Sequence, residues 1–235
     1  MTLRQLKQEV CKANLDLVKK GLVIQTWGNA SGIDRTRDLM VIKPSGVSYE
    51  KLKPADMVVV SLTSGHVVEG KLRPSSDTRT HLALYRAFKE IGGIVHTHSP
   101  AATAWAQTCK ELPALGTTHA DYFHGAVPCT RRMKAREIQK DYELNTGRVI
   151  VAAFAGRDPM SCPAVLVASH GPFAWGKTVD EAVHHAVVLE HLAALASETL
   201  RISPSKKQIQ RVLLDQHFFR KHGSHASYGQ RRAKI

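Results

Sequence analysis

The chain has few cysteines and no long apolar run, and each shortage excludes a class of protein. Its four cysteines are far apart and form no Cys-x-x-Cys pair: Cys11, Cys109, Cys129 and Cys162. This spacing argues against a disulfide framework or a thiolate-held zinc and favours reduced thiols in a cytoplasmic protein. No stretch approaches the ~20 apolar residues of a membrane span, and the N-terminal segment lacks the apolar core of a secretory signal. We therefore expect a cytoplasmic protein with no membrane partner.

Aromatic residues are also scarce, at 6% of the chain, although the net charge is +13. Strongly basic proteins often bind nucleic acid, but here the Lys and Arg residues are scattered and no basic run is interleaved with aromatics. A positive field also attracts phosphorylated metabolites. We find no repeat, low-complexity segment or linker in the 235 residues. The sequence thus predicts one α/β domain, 1–235, with residues 224–235 as a C-terminal tail and no nucleic-acid partner.

Local patterns predict an alternation of helices and strands. Residues 27–32 are too rich in small residues for the interior of a regular element, and the stretch 112–145 is predicted to be largely irregular. The predicted helices start at capping signals: from Thr2 to about 21, from 76 or 77 to about 90, from Ser99 to about 109, from Thr178 to about 200, and from Ser203 to about 223. The predicted strands are 40–42, 56–60 and 67–68 as a hairpin, 94–95, 149–151, 165–167 and 173–175.

Two histidines separated by one residue, His96 and His98, follow the apolar pair Ile94-Val95. In an extended chain, residues i and i+2 face the same side, about 6.6 Å apart, so two imidazoles can bind one metal ion. His170 closes a second apolar run and can complete a set that leaves positions open for substrate. With 13 histidines in 235 residues, chance alone gives about 0.7 such pairs. The pair by itself therefore decides little, and its surroundings must carry the prediction.

Three short turns share hydroxyl, amide and backbone N–H donors: Trp27-Gly28-Asn29, Lys43-Pro44-Ser45-Gly46 and Pro74-Ser75-Ser76-Asp77. Together they would form an anion cradle, in which Lys43 supplies charge and glycine allows close approach of the backbone. Taken singly, each is equally well explained as an ordinary turn, because Ser, Asn, Gly and Pro are turn formers. As a set beside a candidate metal site, they favour a phosphate site.

A fourth polar cluster, at residues 117–122, lies in the irregular stretch. Loops often carry function, and a carboxylate such as Asp121 near a divalent cation can act as a general base or acid. His119 is equally well explained as a packed or solvent-facing histidine. Near the C-terminus, Tyr228 accompanies several histidines, but because tail residues are commonly disordered, the pattern alone assigns it no role.

In this order, these clusters resemble the class II (metal-dependent) aldolase/epimerase family, and within it the L-ribulose-5-phosphate 4-epimerases. The resemblance runs through nearly the whole chain. Its motifs are Trp27-Gly28-Asn29, Val41-Ile42-Lys43-Pro44-Ser45-Gly46-Val47, Pro74-Ser75-Ser76-Asp77-Thr78, Gly92-Gly93-Ile94-Val95-His96-Thr97-His98-Ser99, Gly116-Thr117-Thr118-His119-Ala120-Asp121-Tyr122, His170-Gly171-Pro172-Phe173-Ala174-Trp175-Gly176-Lys177 and Arg220-Lys221-His222-Gly223.

The resemblance implies a single-domain, three-layer α/β/α fold around a largely antiparallel central sheet, assembled as a C4 homotetramer. It also implies a bound Zn²⁺, or another divalent ion such as Mn²⁺. The ligands that it assigns to this ion are His96, His98, His170 and Asp77. The residues that it assigns to a phosphorylated pentulose substrate are Gly28, Asn29, Lys43, Ser45, Gly46, Ser75 and Ser76.

The resemblance further makes Asp121 and Tyr228 the two proton-transfer groups. Tyr228 would come from a neighbouring subunit, so that the site is completed across an interface. Thr117 and His217 are implied as secondary site residues. The implied activity is an isomerase of pentose catabolism that interconverts L-ribulose 5-phosphate and D-xylulose 5-phosphate. It would break the C3–C4 bond by retro-aldol cleavage and add the aldehyde back on its opposite face.

Two other functions compete with this interpretation. Class II sugar-phosphate aldolases share the implied fold and the three histidines, but they resemble this chain less because they carry a glutamate where it has Asp77. A basic nucleic-acid-binding protein would explain the net charge of +13 but none of the ordered clusters.

Overall fold

The structure, a computed structural model, describes residues 1–222 and residue 226, and these contain eight α-helices and seven strands. The helices are α1 (Leu3–Lys19), α2 (Thr78–Ala87), α3 (Pro100–Thr108), α4 (Thr117–Ala120), α5 (Ala135–Gln139), α6 (Tyr142–Ala153), α7 (Val179–Ile202) and α8 (Arg211–His222). The strands are β1 (Asn29–Asp34), β2 (Leu39–Ile42), β3 (Val58–Ser61), β4 (Val67–Glu69), β5 (Gly93–His96), β6 (Ala164–Leu166) and β7 (Pro172–Gly176). None of the helices in these residues is long and apolar enough to cross a membrane.

The seven strands form one sheet in the order β4-β3-β2-β1-β5-β7-β6, and every neighbouring pair is antiparallel. Side chains of a strand alternate between the two faces. In β2, Val41 packs with α1, α3 and α7, whereas Met40 and Ile42 pack with α2 and α6. Helices therefore cover both faces of the antiparallel sheet, which confirms the predicted three-layer α/β/α fold.

At two of the five predicted helix starts, Thr2 and Thr178, the sequence pattern predicts a capping box, and a helix begins after each of them. At α1, Gln5 N donates to Thr2 Oγ1 at 3.2 Å and Thr2 N donates to Gln5 Oε1 at 2.7 Å, so the capping box is complete. At α7, Glu181 N donates to Thr178 Oγ1 at 3.1 Å. The Glu181 carboxylate, however, accepts from the backbone N–H of Lys177 instead of Thr178, so this box is closed one residue earlier than predicted.

The strand predicted at 149–151 is wrong, because these residues lie inside α6. Val149, Ile150 and Val151 are β-branched, and a short apolar run does not distinguish a strand from a buried helix. The buried positions of α6 include Asn145, Thr146, Val149 and Ile150, a spacing of about one helical turn between pairs. Packing of this face against α2 favours a helix over a strand at residues 149–151.

The segment 27–32 also differs from its prediction, because its last four residues, 29–32, belong to β1, a strand near the middle of the sheet. Small residues are needed here for packing. A Cβ placed on Gly32 would lie 2.5 Å from Val179 Cγ2 and 3.0 Å from Val10 Cγ2. The absence of a side chain thus lets α1 and the start of α7 approach the strand closely.

Several predicted boundaries shift. Helix α2 ends at Ala87 instead of about 90, and the last helix begins at Arg211 instead of Ser203. The stretch 112–145, predicted to be largely irregular, contains α4, α5 and the start of α6. Of the predicted tail 224–235, only residue 226 is described, so Tyr228 lies outside the described residues.

Candidate active site

Four neighbouring strands bring the predicted residues to one edge of the sheet. Strand β2 ends at Ile42 and β5 ends at His96, whereas β1 begins at Asn29 and β7 begins at Pro172. Because the neighbours run antiparallel, the end of one strand lies beside the start of the next; Asn29, for example, is directly opposite His96. Residues far apart in the sequence therefore converge on one edge.

The three predicted histidine ligands come together there. The Nε2 atoms of His96 and His98 are 3.1 Å apart, and one ring nitrogen of each of these residues and of His170 lies within 4.8 Å of the others. His96 Nδ1 is 2.9 Å from the carbonyl oxygen of Pro172. Donation of Nδ1–H to this carbonyl leaves a lone pair on Nε2, which faces the other two rings.

The electrostatics of the three rings suit a cation. Burial lowers the pKa of His170 to about 3, and it also lowers the pKa of His98. Neutral imidazoles are the form that binds metal, and three nitrogen ligands are a common set for a catalytic Zn²⁺ or a similar divalent ion because they leave positions open. The donor set therefore fits the divalent ion that the sequence predicts.

Asp77 lies in the same cavity, at the N-terminus of α2. Its carboxylate accepts a hydrogen bond of 2.6 Å from Asn29 Nδ2, which also contacts Ser75 Oγ at 3.1 Å. Burial acts to raise the pKa of Asp77, but the neighbouring His96 ring and the Asn29 hydrogen bond hold it below its usual value. The chain therefore presents a fixed carboxylate beside the histidines. Asp77 is not one of the three residues whose nitrogens cluster within 4.8 Å, so its role as a metal ligand stays a prediction.

The residues of the predicted anion cradle line the same cavity. Lys43 is buried, with its Nζ 3.3 Å from the carbonyl oxygen of Pro44 and 4.7 Å from the centre of the Tyr49 ring. Burial lowers the pKa of Lys43 to about 8. Backbone hydrogen bonds join this turn to the next one: Ser75 N donates to Lys43 O at 3.0 Å. The two turns therefore form one structural unit.

Gly28 shows why this edge requires a glycine. Its φ of +78° is rarely adopted by other residues, and a Cβ there would lie 2.8 Å from the carbonyl oxygen of His96. A side chain would push the first turn away from the metal-site strand.

These groups line one cavity of about 590 Å³. The cavity contains every predicted metal-site and substrate-binding residue, which is a finding about placement and leaves their roles as predictions. It also contains Thr26, Tyr142 and Glu143, which the sequence analysis did not single out, together with Trp27 and Pro44 from two of the motifs. Tyr142 OH lies 3.5 Å from His170 Nδ1. Tyr142 is the first residue of α6. The sequence analysis missed it because residues 149–151 of the same helix were assigned to a strand.

Asp121, the predicted proton-transfer residue, is not among the residues that line this cavity. It follows α4 and faces α8, where its carboxylate contacts His217 Nδ1 at 3.0 Å, Arg220 Nη2 at 3.1 Å and Lys221 Nζ at 3.1 Å. Burial acts to raise the pKa of Asp121, but these bonds hold it below the usual value. The structure thus joins Asp121 to His217 and places both outside the described wall of the cavity, with Thr117 one turn before Asp121.

Comparison with known proteins agrees with this geometry. Residues 8–197 match the class II aldolase and adducin N-terminal domain. The chain belongs to this family. The class II aldolases of this family depend on a divalent metal, and the three-histidine group provides a place for one.

Solved structures with the same fold include several sugar-phosphate enzymes. An L-fuculose 1-phosphate aldolase is 27% identical, with a TM-score of 0.77 over 91% of this chain and 94% of that chain. The L-fuculose-1-phosphate aldolase of Thermus thermophilus is 23% identical, with a TM-score of 0.68 over 87% of this chain and 100% of that chain. YgbL from Klebsiella pneumoniae, whose description names aldolase, epimerase and decarboxylase together, is 24% identical, with a TM-score of 0.70 over 92% of this chain and 99% of that chain.

Proposed function

We propose that this class II aldolase-family chain is a divalent-cation-dependent epimerase that interconverts L-ribulose 5-phosphate and D-xylulose 5-phosphate. The presence of an aspartate at position 77 is the observation that favours an epimerase over an aldolase. As the family resemblance implies, the related class II aldolases have a glutamate at this position. Here a shorter carboxylate is held by Asn29 at 2.6 Å, which keeps it from reaching as far into the cavity as a glutamate would.

The shape and charge of the cavity support a small phosphorylated sugar as substrate. Its volume of about 590 Å³ is within the usual range for small-molecule sites, roughly 300–1,000 Å³. Its lining includes the Lys43 ammonium and hydroxyl-bearing turns, which suit a phosphate. The same cavity is lined by three imidazoles. We assign the carbonyl end of a pentulose phosphate to the histidines and its phosphate to Lys43.

The proposed reaction inverts C4, which carries no acidic hydrogen, so simple deprotonation of carbon cannot achieve it. A base removes the proton of the C4 hydroxyl, the C3–C4 bond breaks, and its electron pair remains on the dihydroxyacetone enediolate while C4 becomes an aldehyde. The bound cation would supply a Lewis acid that stabilises the negative charge. The chain's own residues hold the phosphate of the aldehyde while its carbonyl group turns, and re-addition to the opposite face gives the inverted centre.

Face exchange needs a proton-transfer group on each side of the aldehyde. We assign these roles to Asp121 and Tyr228, as the family resemblance implies. Because Asp121 is absent from the described lining of the cavity, our proposal includes a homotetramer in which a neighbouring copy completes the site. His217 would then orient Asp121 through the 3.0 Å contact between them.

The test is a direct assay of the purified protein. L-ribulose 5-phosphate is supplied with Zn²⁺ or Mn²⁺, and D-xylulose 5-phosphate is followed by a coupled reaction, with a chelated sample as control. We expect product only in the samples with metal. Absence of product at every metal concentration, from protein that binds metal, would overturn the epimerase.

A class II aldolase is the second candidate, favoured by the L-fuculose 1-phosphate aldolase that is 27% identical over 91% of this chain. The same samples should be given L-fuculose 1-phosphate, and release of dihydroxyacetone phosphate should be measured. Aldol cleavage without any epimerisation would assign the chain to the aldolases and would remove Asp77 as a distinguishing feature.

A further inference from the structure

A second cavity, of about 410 Å³, contains two thiols that the proposed reaction does not use. Cys109 and Cys129 both line it and both are partly exposed. Three apolar residues of α6 line this cavity, namely Val149, Ala152 and Ala153. Its lining also includes Arg131 and Arg157. The remaining cysteines, Cys11 and Cys162, are buried and line neither this cavity nor the candidate active site. Among the four cysteines, all of which the structure describes, one pair therefore shares an open cavity.

Cys109 is held in place by polar contacts on two sides. It ends α3 with a φ of +57°, and its Sγ lies 3.3 Å from Arg132 Nε and 3.5 Å from Ser169 Oγ. The backbone reinforces this arrangement, because the carbonyl oxygen of Ala106 accepts hydrogen bonds from both Cys109 N and Ser169 N, at 3.1 and 2.9 Å. A guanidinium within hydrogen-bond distance is a typical environment for a reactive thiol.

Cys129 lies beside the same short segment. It forms a parallel bridge with Leu166, and the next residue, Thr130, accepts a hydrogen bond of 3.0 Å from Ala168 N. Cys109 contacts Ser169, whereas Cys129 pairs with Leu166 and its neighbour Thr130 contacts Ala168. Both cysteines therefore lie beside the segment 166–169, which precedes His170.

The two thiols differ in acidity. Hydrogen bonds from Ser169 and then Arg132 lower the pKa of Cys109. Burial, together with the charge of Cys109, raises the pKa of Cys129 to about 11. The Cys109 thiol is therefore suited to attack as a thiolate, whereas the Cys129 thiol stays protonated until Cys109 has been oxidised.

We propose that Cys109 and Cys129 form an oxidation site for hydroperoxides, with Cys109 as the attacking thiol and Cys129 as the resolving thiol. The Cys109 thiolate attacks one peroxide oxygen, so an S–O bond forms and the O–O bond breaks, and the leaving oxygen takes up a proton and departs as water from hydrogen peroxide or as an alcohol from an organic hydroperoxide. Cys129 then loses its proton and attacks the Cys109 sulfur. An S–S bond replaces the S–O bond, and water leaves. The two sulfurs are oxidised by two electrons in total, and the peroxide is reduced.

The test uses the metal-loaded full chain treated with hydrogen peroxide, followed by peptide mapping without reduction. We expect a linked Cys109–Cys129 peptide from a chain that remains monomeric on a non-reducing gel, and its reversal by dithiothreitol. At pH 7, alkylation of Cys109 by iodoacetamide should be about tenfold or more faster than that of Cys129. Equal alkylation rates, a bond between two chains, or oxidation of Cys109 without the linked peptide would each overturn the proposal.

Matched variants separate the parts of the site. Cys129→Ser should leave Cys109 as a sulfenic acid that dimedone traps, whereas Cys162→Ser, a control at a buried thiol, should form the same linked peptide as the original chain. Arg132→Gln should slow alkylation of Cys109 severalfold more than Arg131→Gln, because only Arg132 contacts Sγ. An equal effect of the two substitutions would contradict the role of Arg132.

Discussion

The cavity at the sheet edge and the surroundings of Asp121 both hold predicted site residues, yet they differ in how their polar groups are satisfied. In the cavity, some polar groups have unused hydrogen-bonding capacity. Lys43 Nζ has one hydrogen-bond contact, to the Pro44 carbonyl, and the buried Asn29 Oδ1 has no partner among the described residues. At Asp121, a single carboxylate contacts the His217 imidazole and two cationic side chains, those of Arg220 and Lys221.

This difference indicates where each region has hydrogen-bonding capacity left for a ligand. Buried polar groups are normally hydrogen-bonded, so unsatisfied ones that line a cavity indicate a place for a ligand. A carboxylate that already contacts two cations and an imidazole is satisfied, and its proton affinity is low. The cavity thus has capacity for a ligand, whereas Asp121 would act as the proposed base only after its contacts with α8 are exchanged.

The largest expected effect is at the cavity. His96→Asn removes one nitrogen of the three-histidine group, so the protein should lose bound metal and epimerase activity should fall by about a thousandfold, because Lewis-acid stabilisation is worth several kcal/mol. Metal content by elemental analysis and turnover are measured together. His66→Asn, at an exposed histidine, is the control and should change neither. Full activity of metal-free His96→Asn would break the assignment of the cavity as the reaction site.

Asp121→Asn is expected to separate the two regions. Activity should fall about a hundredfold, the lower end of the range for loss of a general acid or base, while metal content stays at the original level because Asp121 contacts none of the three histidines. The thermal unfolding midpoint should also drop, since two cations and an imidazole would lose their carboxylate. Loss of metal in Asp121→Asn, or unchanged turnover, would contradict the division between the regions.

The sequence predicted the cavity better than it predicted the region around α8, and the reason is physical. Most residues of the cavity belong to strand ends or to the short turns beside them, and the others lie at the starts of α2 and α6. Antiparallel pairing of four strands is sufficient to bring His96, Asn29 and Lys43 to one edge. The position of these motifs at strand ends is therefore sufficient to predict that their residues lie close together. The fold class follows from the same alternation of elements.

The misses arose where tertiary packing overrides a local pattern. Residues 149–151 have strand propensity but complete a helical face against α2, and this hid Tyr142 at the start of the same helix. The contact between His217 and Asp121 joins residues 96 positions apart, which no local spacing predicts. Only the resemblance to a family named both residues.

Lys43→Met tests the anion cradle. At pH 7 the specificity kcat/KM should fall about tenfold to a hundredfold, the equivalent of a charged hydrogen bond of roughly 1.5–3 kcal/mol. In the original protein, burial lowers the pKa of Lys43 to about 8, so the ammonium loses its proton and kcat/KM should decline as the pH rises through 8. Lys43→Met should lack this decline. Lys51→Met, at an exposed lysine, is the control and should keep it.

The smallest expected effect is at Tyr142, whose hydroxyl is 3.5 Å from His170 Nδ1. A partner on Nδ1 orients the ring and keeps Nε2 available to a metal, and loss of such a partner costs up to about tenfold in metal affinity when the contact is long. Tyr142→Phe should therefore lose metal to a competing chelator severalfold faster, with His96 and Asp77 still in place. Tyr122→Phe, outside the cavity lining, should behave as the original protein. If instead Tyr142→Phe abolished turnover while its metal affinity was unchanged, Tyr142 would itself act on the substrate, and the cavity would supply a proton-transfer group now assigned to the neighbouring copy.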